Sequence, residues 1–175
     1  YLGSNLGEDY LAINTILMQF IVLAAFFLDA YAFSIEGVVG YTIGKRNEKS
    51  FLLAVKNSIQ LSFFTALIIS LIYLIFFKQI INIITDIDIL RFISYKHAIW
   101  IIIIPPAASF CYQLDGIFIG ASQTKEMRNA MMVSVASFII ISIYLTKYFG
   151  NHGLWLSLLL FMLLRSLTLK YFFNK

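Results

Sequence analysis

In a chain of 175 residues, 61% apolar and 17% aromatic side chains beside only 13% charged ones lie outside the range of water-soluble domains, so a soluble globular fold is excluded. The formal net charge of +4 does not signal nucleic-acid binding, because the Lys and Arg residues form no stripe interleaved with aromatics on one face. The pattern that remains is an all-α membrane protein: segments 10–28, 57–77, 98–114 and 129–146 carry no charge over roughly 17–21 positions each, the length a helix needs to cross the hydrocarbon.

In chain order, the first span is expected over 11–43, stopping at Gly44, where Lys45 and Arg46 complement a helix C-terminus. It is not a signal peptide, since the acidic Glu8 and Asp9 precede it and no cleavage pattern follows. A start at Tyr1, a few residues before a span, reads as part of something longer. The second span is expected over 50–77, with Ser50 as N-cap and Lys56 in an early turn. Segment 80–95 mixes Ile with Asp86, Asp88 and Arg91 and reads as an amphipathic interfacial segment. The third span, 97–121, contains Pro105 and Pro106. These two remove backbone donors and should kink or break the helix, leaving carbonyls one turn earlier for neighbouring helices to satisfy. A fourth span, 125–149, turns through Gly150-Asn151-His152-Gly153 into a fifth, 154–173, interrupted only by Arg165 and Lys170. The fold class is therefore all-α with about five transmembrane helices.

The loop with Lys45, Arg46, Lys49 and Lys56, the loop with Lys125 and Arg128, and the tail with Lys170 and Lys175 fall on one side of five spans. The positive-inside rule puts that side and the C-terminus in the cytoplasm, and the N-terminus and the Asp86/Asp88 loop outside.

Four charges lie within spans, where each requires a partner, a proton or water: Asp29, Glu36, Asp115 and Arg165. Asp29 and Glu36 are seven residues apart and share a helix face, with Ala32 and Phe33 between them. Asp115 shares a face with Ala108, Cys111, Tyr112 and Ser122. Glu36, Asp115 and Arg165 come out at similar depth, so Arg165 is an ion-pair partner for either carboxylate. The alternative is a carboxylate left available for a proton or Na⁺. Carbonyls near Pro105 and Pro106 would help coordinate a cation, and Phe110, Tyr112, Gln113 and Phe33 would line a cavity for a flat or amphiphilic ligand. Cys111 stands alone, and His97 and His152 read as isolated loop or interface residues, so no disulfide and no metal site is assigned. No catalytic or nucleotide-binding fingerprint is present, which argues against an enzyme. A faint echo links Leu28-Asp29 with Phe33 to Leu114-Asp115 with Phe118, each ahead of a Gly and a basic loop.

Three stretches carry a family resemblance. FLDAYAFSIEGVVGYTIGKRN (27–47) resembles the eighth helix of multidrug and toxic compound extrusion (MATE) transporters. QLDGIFIGASQTKEMRNA (113–130) is similar to the tenth helix and following loop of the branch typified by DNA-damage-inducible protein F, and GNHGLWLSLLLFMLLRSLTL (150–169) to its last helix. The resemblance implies the C-terminal part of a twelve-helix, two-bundle transporter in the plasma (inner) membrane, lacking the N-terminal bundle of the same protein as its partner. It further implies Na⁺- or H⁺-coupled export of small amphiphilic or cationic compounds, without a cofactor. Asp115 then matches the acidic position of the tenth helix tied to cation coupling, with Asp29 and Glu36 as further coupling candidates. Two rivals are a flippase for lipid-linked saccharides, which would want a cavity rich in Arg and Lys, and a non-transporting structural subunit or inactive fragment.

Overall fold

The computed structural model describes residues 6–173. It consists of α1 (Glu8–Gly44), α2 (Glu48–Ile84), α3 (Asp88–Gly120) and α4 (Thr124–Phe173), each long and apolar enough to cross a bilayer. The last is folded back on itself: Gly150 takes φ 54 and ψ −134, a conformation open to glycine alone, and separates a first arm, 124–149, from a second, 151–173. A Cβ at Gly153 would strike the Leu145 carbonyl, so the arms meet closely at this turn. Phe138 faces Phe161 with ring centroids 5.5 Å apart, and Ala130 and Leu169 share a buried cluster, which makes the arms antiparallel. The molecule is thus five rods, matching the apolar runs in number, with exposed Phe26, Phe64, Leu74, Ile140 and Tyr148 of a kind that lipid rather than water accommodates.

The ends differ from the sequence-based expectations. Segment 80–95 is not a separate interfacial helix; it is divided between the last turns of α2 and the first turns of α3. The cause is Arg91, whose Nε donates to the Thr85 carbonyl at 2.7 Å and whose Nη2 donates to the Asn82 carbonyl at 3.0 Å and bridges to Asp86. Arg91 caps the C-terminus of α2, and Asp86 and Asp88 pair with its guanidinium from the exposed turn. Similarly, Asn47 rather than Ser50 caps α2, its side chain accepting from the Ser50 backbone N–H at 3.1 Å. Lys175 of the basic tail lies outside the described residues.

The two turns 45–47 and 121–123 are built alike. Arg46 N–H bonds to the Ile43 carbonyl and Asn47 N–H to that of Thr42; Ser122 and Gln123 make the corresponding bonds to Ile119 and Phe118. This is the Schellman pattern, with Arg46 (φ 53) and Ser122 (φ 58) in the left-handed position usually taken by glycine. The repeated element is therefore Gly40…Gly44 with Gly116…Gly120, in a different register from the Asp29/Asp115 echo.

At the centre, α3 runs unbroken through Pro105 and Pro106. Pro106 cannot donate to Ile102, and that freed carbonyl accepts from Ser70 Oγ at 2.7 Å. Ser70 is the last of a ladder on α2, Ser58, Ser62, Ala66 and Ser70, whose small side chains let α2 lie close along α3. On the other flank α1 runs parallel to α3 at backbone contact: a Cβ on Gly116 would meet the Ala32 backbone, and one on Gly120 the Glu36 backbone. The second arm of α4 lies parallel to both.

Candidate functional site

Backbone contact at Gly116 and Gly120 sets the faces of α1 and α3 that carry carboxylates side by side. The result is a cavity of about 210 Å³. From α1 it receives Asp29, Phe33 and Glu36, and from α3 Tyr112 and Asp115, with Met127 of α4 at one side. Residues seven apart on α1 and three apart on α3 face the same space, as helix periodicity requires.

Arg165 reaches this group from the second arm of α4. Its Nη2 lies 2.8 Å from Asp115 Oδ2, and both side chains are 16% exposed. Of the two carboxylates at matching depth, Asp115 is the one that pairs. Cys111 Sγ, one turn earlier, also approaches Oδ2, at 4.0 Å. Asp115 Oδ1 is buried and has no hydrogen-bond partner among the described residues. Neither Asp29 nor Glu36 makes an ion pair among them. Three carboxyl groups thus line the region beside one guanidinium, and each one left unpaired needs a proton, a cation or water.

Gln113 and Phe110 belong elsewhere. Gln113 is fully buried on the α2 side of α3, accepting from Ser58 Oγ at 2.6 Å, and Phe110 packs against Phe63 with centroids 5.5 Å apart. They do not line the acidic cavity because they project from the opposite flank of the helix. The carbonyl freed by Pro106 accepts from Ser70 Oγ.

His97 and His152 are not isolated. Fifty-five positions apart, their rings stack at 4.2 Å with 14° between planes, and Trp100 Nε1 donates to His152 Nδ1 at 3.0 Å. His97, 3% exposed, sits inside α3 rather than in a loop. Next to them Asn14 and Asn151 exchange hydrogen bonds at 2.6 and 3.0 Å, and Trp155 Nε1 donates to Asn14 Oδ1 at 2.8 Å. This polar knot pins the second arm to α1 and α3 at the end remote from Asp115. Among the described residues no group of three His, Cys, Asp or Glu is arranged to hold a metal ion. A further cavity of about 580 Å³ opens near the 121–123 turn among Phe51, Phe118 and Phe172, with Glu126 as its single carboxylate.

Residues 1–147 match the family model MatE. DNA damage-inducible protein F of Escherichia coli (strain K12) is 36% identical over 168 residues, which cover 96% of this chain and 36% of that protein. The chain thus spans about a third of the length of this curated relative. No solved structure matches.

Proposed function

The chain belongs to the MatE family of membrane transporters, and we propose that it is the cation-binding part of a Na⁺- or H⁺-coupled antiporter exporting small amphiphilic or cationic compounds. The observation that carries this reading is the gathering of Asp29, Glu36 and Asp115 from two helices around one cavity, with Asp115 Oδ1 buried and unpartnered. A carboxylate oxygen desolvated in this way binds a proton or Na⁺ readily, and Phe33 and Tyr112 beside it offer aromatic faces to an organic cation. In alternating access, the cation and the exported compound favour opposite states, so binding of one drives release of the other. The opposite wall of the substrate cavity is then contributed by the region of the protein corresponding to the remaining length of the relative, and the molecule sits in the plasma membrane with its C-terminus in the cytoplasm. A flippase for lipid-linked saccharides, whose substrates carry phosphate, is disfavoured by an acidic cavity with one Arg at its edge.

The test is Asp115→Asn in the intact protein, reconstituted in liposomes, with ethidium efflux followed under an imposed Na⁺ or proton gradient. Loss of gradient-driven efflux with normal membrane insertion supports the reading. Undiminished efflux overturns it in favour of a structural part for this chain.

A further inference from the structure

Resting on the cation-coupled reading above, we propose that Arg165 is the internal counter-ion of the site: it occupies Asp115 in the unloaded state and is displaced by the coupling cation, so that loading breaks the charged tie between the second arm of α4 and α3.

The geometry of the pair is the first argument. A buried ion pair serves stability when it is bidentate and its remaining lone pairs are satisfied. Here Nη2 alone meets Oδ2, and Oδ1 stays buried without a partner. The pair is half-made, and the free oxygen lies in the region where Asp29 and Glu36 bring further negative charge from α1. A cation arriving at Oδ1 would repel the guanidinium on the other oxygen of the same group. Arg165 and the cation therefore compete for Asp115.

The second argument is mechanical. The second arm is fastened at one end by His152 to Trp100 and His97, and by Asn151 and Trp155 to Asn14. Towards its other end the hydroxyls of Ser166 and Thr168 turn back onto the arm's own backbone. Asp115–Arg165 is the ion pair that joins this half of the arm to α3 among the described residues. Breaking it removes the charged tie between this half of the arm and α3 and leaves the apolar contacts of Leu169, Phe172 and Phe173 to guide the arm's shift, which converts occupancy of a carboxylate into movement of a helix. The titratable groups that line the cavity with Asp115 or approach its carboxyl are Asp29 and Glu36 on α1, and Cys111 and Tyr112 on α3.

The experiment uses the intact protein in liposomes with wild type, Arg165→Gln, Arg165→Lys and Asp115→Asn, reading ethidium efflux against Na⁺ concentration and against pH. With the competitor gone, Arg165→Gln should reach half-maximal coupling at a Na⁺ or proton concentration at least about tenfold lower, since a contacting opposite charge changes a carboxylate's ion affinity by about ten- to a thousandfold. Its maximal rate should fall, because unloading no longer has a stand-in cation, and Arg165→Lys should fall between. In parallel, spin labels on Gln123→Cys and Leu167→Cys, with Arg165 intact, should move apart as the cation is added. In Arg165→Gln they should stand apart without it. Unchanged cation affinity in Arg165→Gln, or a label distance indifferent to the cation, overturns the counter-ion proposal while leaving the coupling role of Asp115 to the Asp115→Asn result. Wild-type efflux that ignores both gradients, equal to that of Asp115→Asn, overturns the functional reading itself.

Discussion

Gly116 and Asp115 are neighbours with opposite tasks, one removing a side chain so that α1 can approach and the other supplying the charge that this approach surrounds. The approach is the more fragile of the two. A methyl group at Gly116 would overlap the Ala32 carbonyl, which is backbone and cannot rotate away, whereas one at Gly40 would meet the Gly120 carbonyl at an ordinary 3.5 Å. Gly116→Ala should therefore lower stability by about 1–3 kcal/mol, the usual cost of overpacking. Gly40→Ala should leave it nearly unchanged, both read as thermal unfolding in detergent. Equal stability for the two variants would mean that α1 and α3 are not in backbone contact. At this scale the sequence was readable as far as the helix wheel allows. Asp115 and Tyr112 share a face, but Gln113 lies about 200° round the axis from Asp115 and Phe110 about 140°, so the wheel already separates them from the cavity. Which carboxylate takes Arg165 was not readable, because a wheel gives the face of one helix and not its rotation against another.

Prolines placed mid-helix become tolerable when a neighbour replaces what they remove, and the Ser70 hydroxyl on the Ile102 carbonyl does so for α3. The claim has a clean double-mutant test. Ser70→Ala strands the half-buried carbonyl and should cost about 1–3 kcal/mol. In a Pro106→Ala background the restored N–H can bond Ile102 itself, so the same Ser70→Ala change should cost much less, a coupling visible as non-additive shifts in unfolding temperature. Additive shifts would assign Ser70 no such role. The turns separate in the same way by backbone conformation. Ser122 occupies a left-handed position that glycine takes without strain, so Ser122→Gly should be neutral or stabilising by up to about 1 kcal/mol. Gly150→Ala should destabilise by about 1–3 kcal/mol, since φ 54 with ψ −134 suits no side chain. Both are measurable by thermal unfolding in detergent. Four of the five rods were legible as charge-free runs of spanning length, and the fifth because Arg165 and Lys170 are its only charges. The end of α2 was not, because Arg91 and its neighbouring Asp residues look the same in sequence whether they face a membrane surface or cap a helix.

Across the whole molecule, contacts between residues far apart in sequence, such as His97 with His152 or Asn14 with Asn151, follow from three parallel rods, α1, α3 and the second arm, lying in register. No local pattern announces them. The same arrangement sorts the charges into two ends. One end carries Lys45, Arg46, Lys49, Lys56, Lys125, Arg128 and Lys170, and the other carries Lys78, Arg91, Lys96 and Lys147. At the second end the effective bias is weaker still, since Arg91 is engaged with Asp86 and Asp88, and Lys78 and Lys96 lie over the rings of Tyr95 and Phe92. The first end should therefore face the cytoplasm. Single cysteines at Asp86 and Lys125 report the orientation directly. Asp86 is fully exposed and its bridge to Arg91 is a solvent-screened surface one, so its loss leaves the fold in place. The native Cys111 is buried and stays silent towards a membrane-impermeant maleimide. Added to intact cells, the reagent should label Asp86→Cys and spare Lys125→Cys until the membrane is opened. The reverse pattern would turn the molecule over, place the 45–47 and 121–123 turns outside, and require the cation to enter Asp115 from the side that the export reading assigns to the cytoplasm.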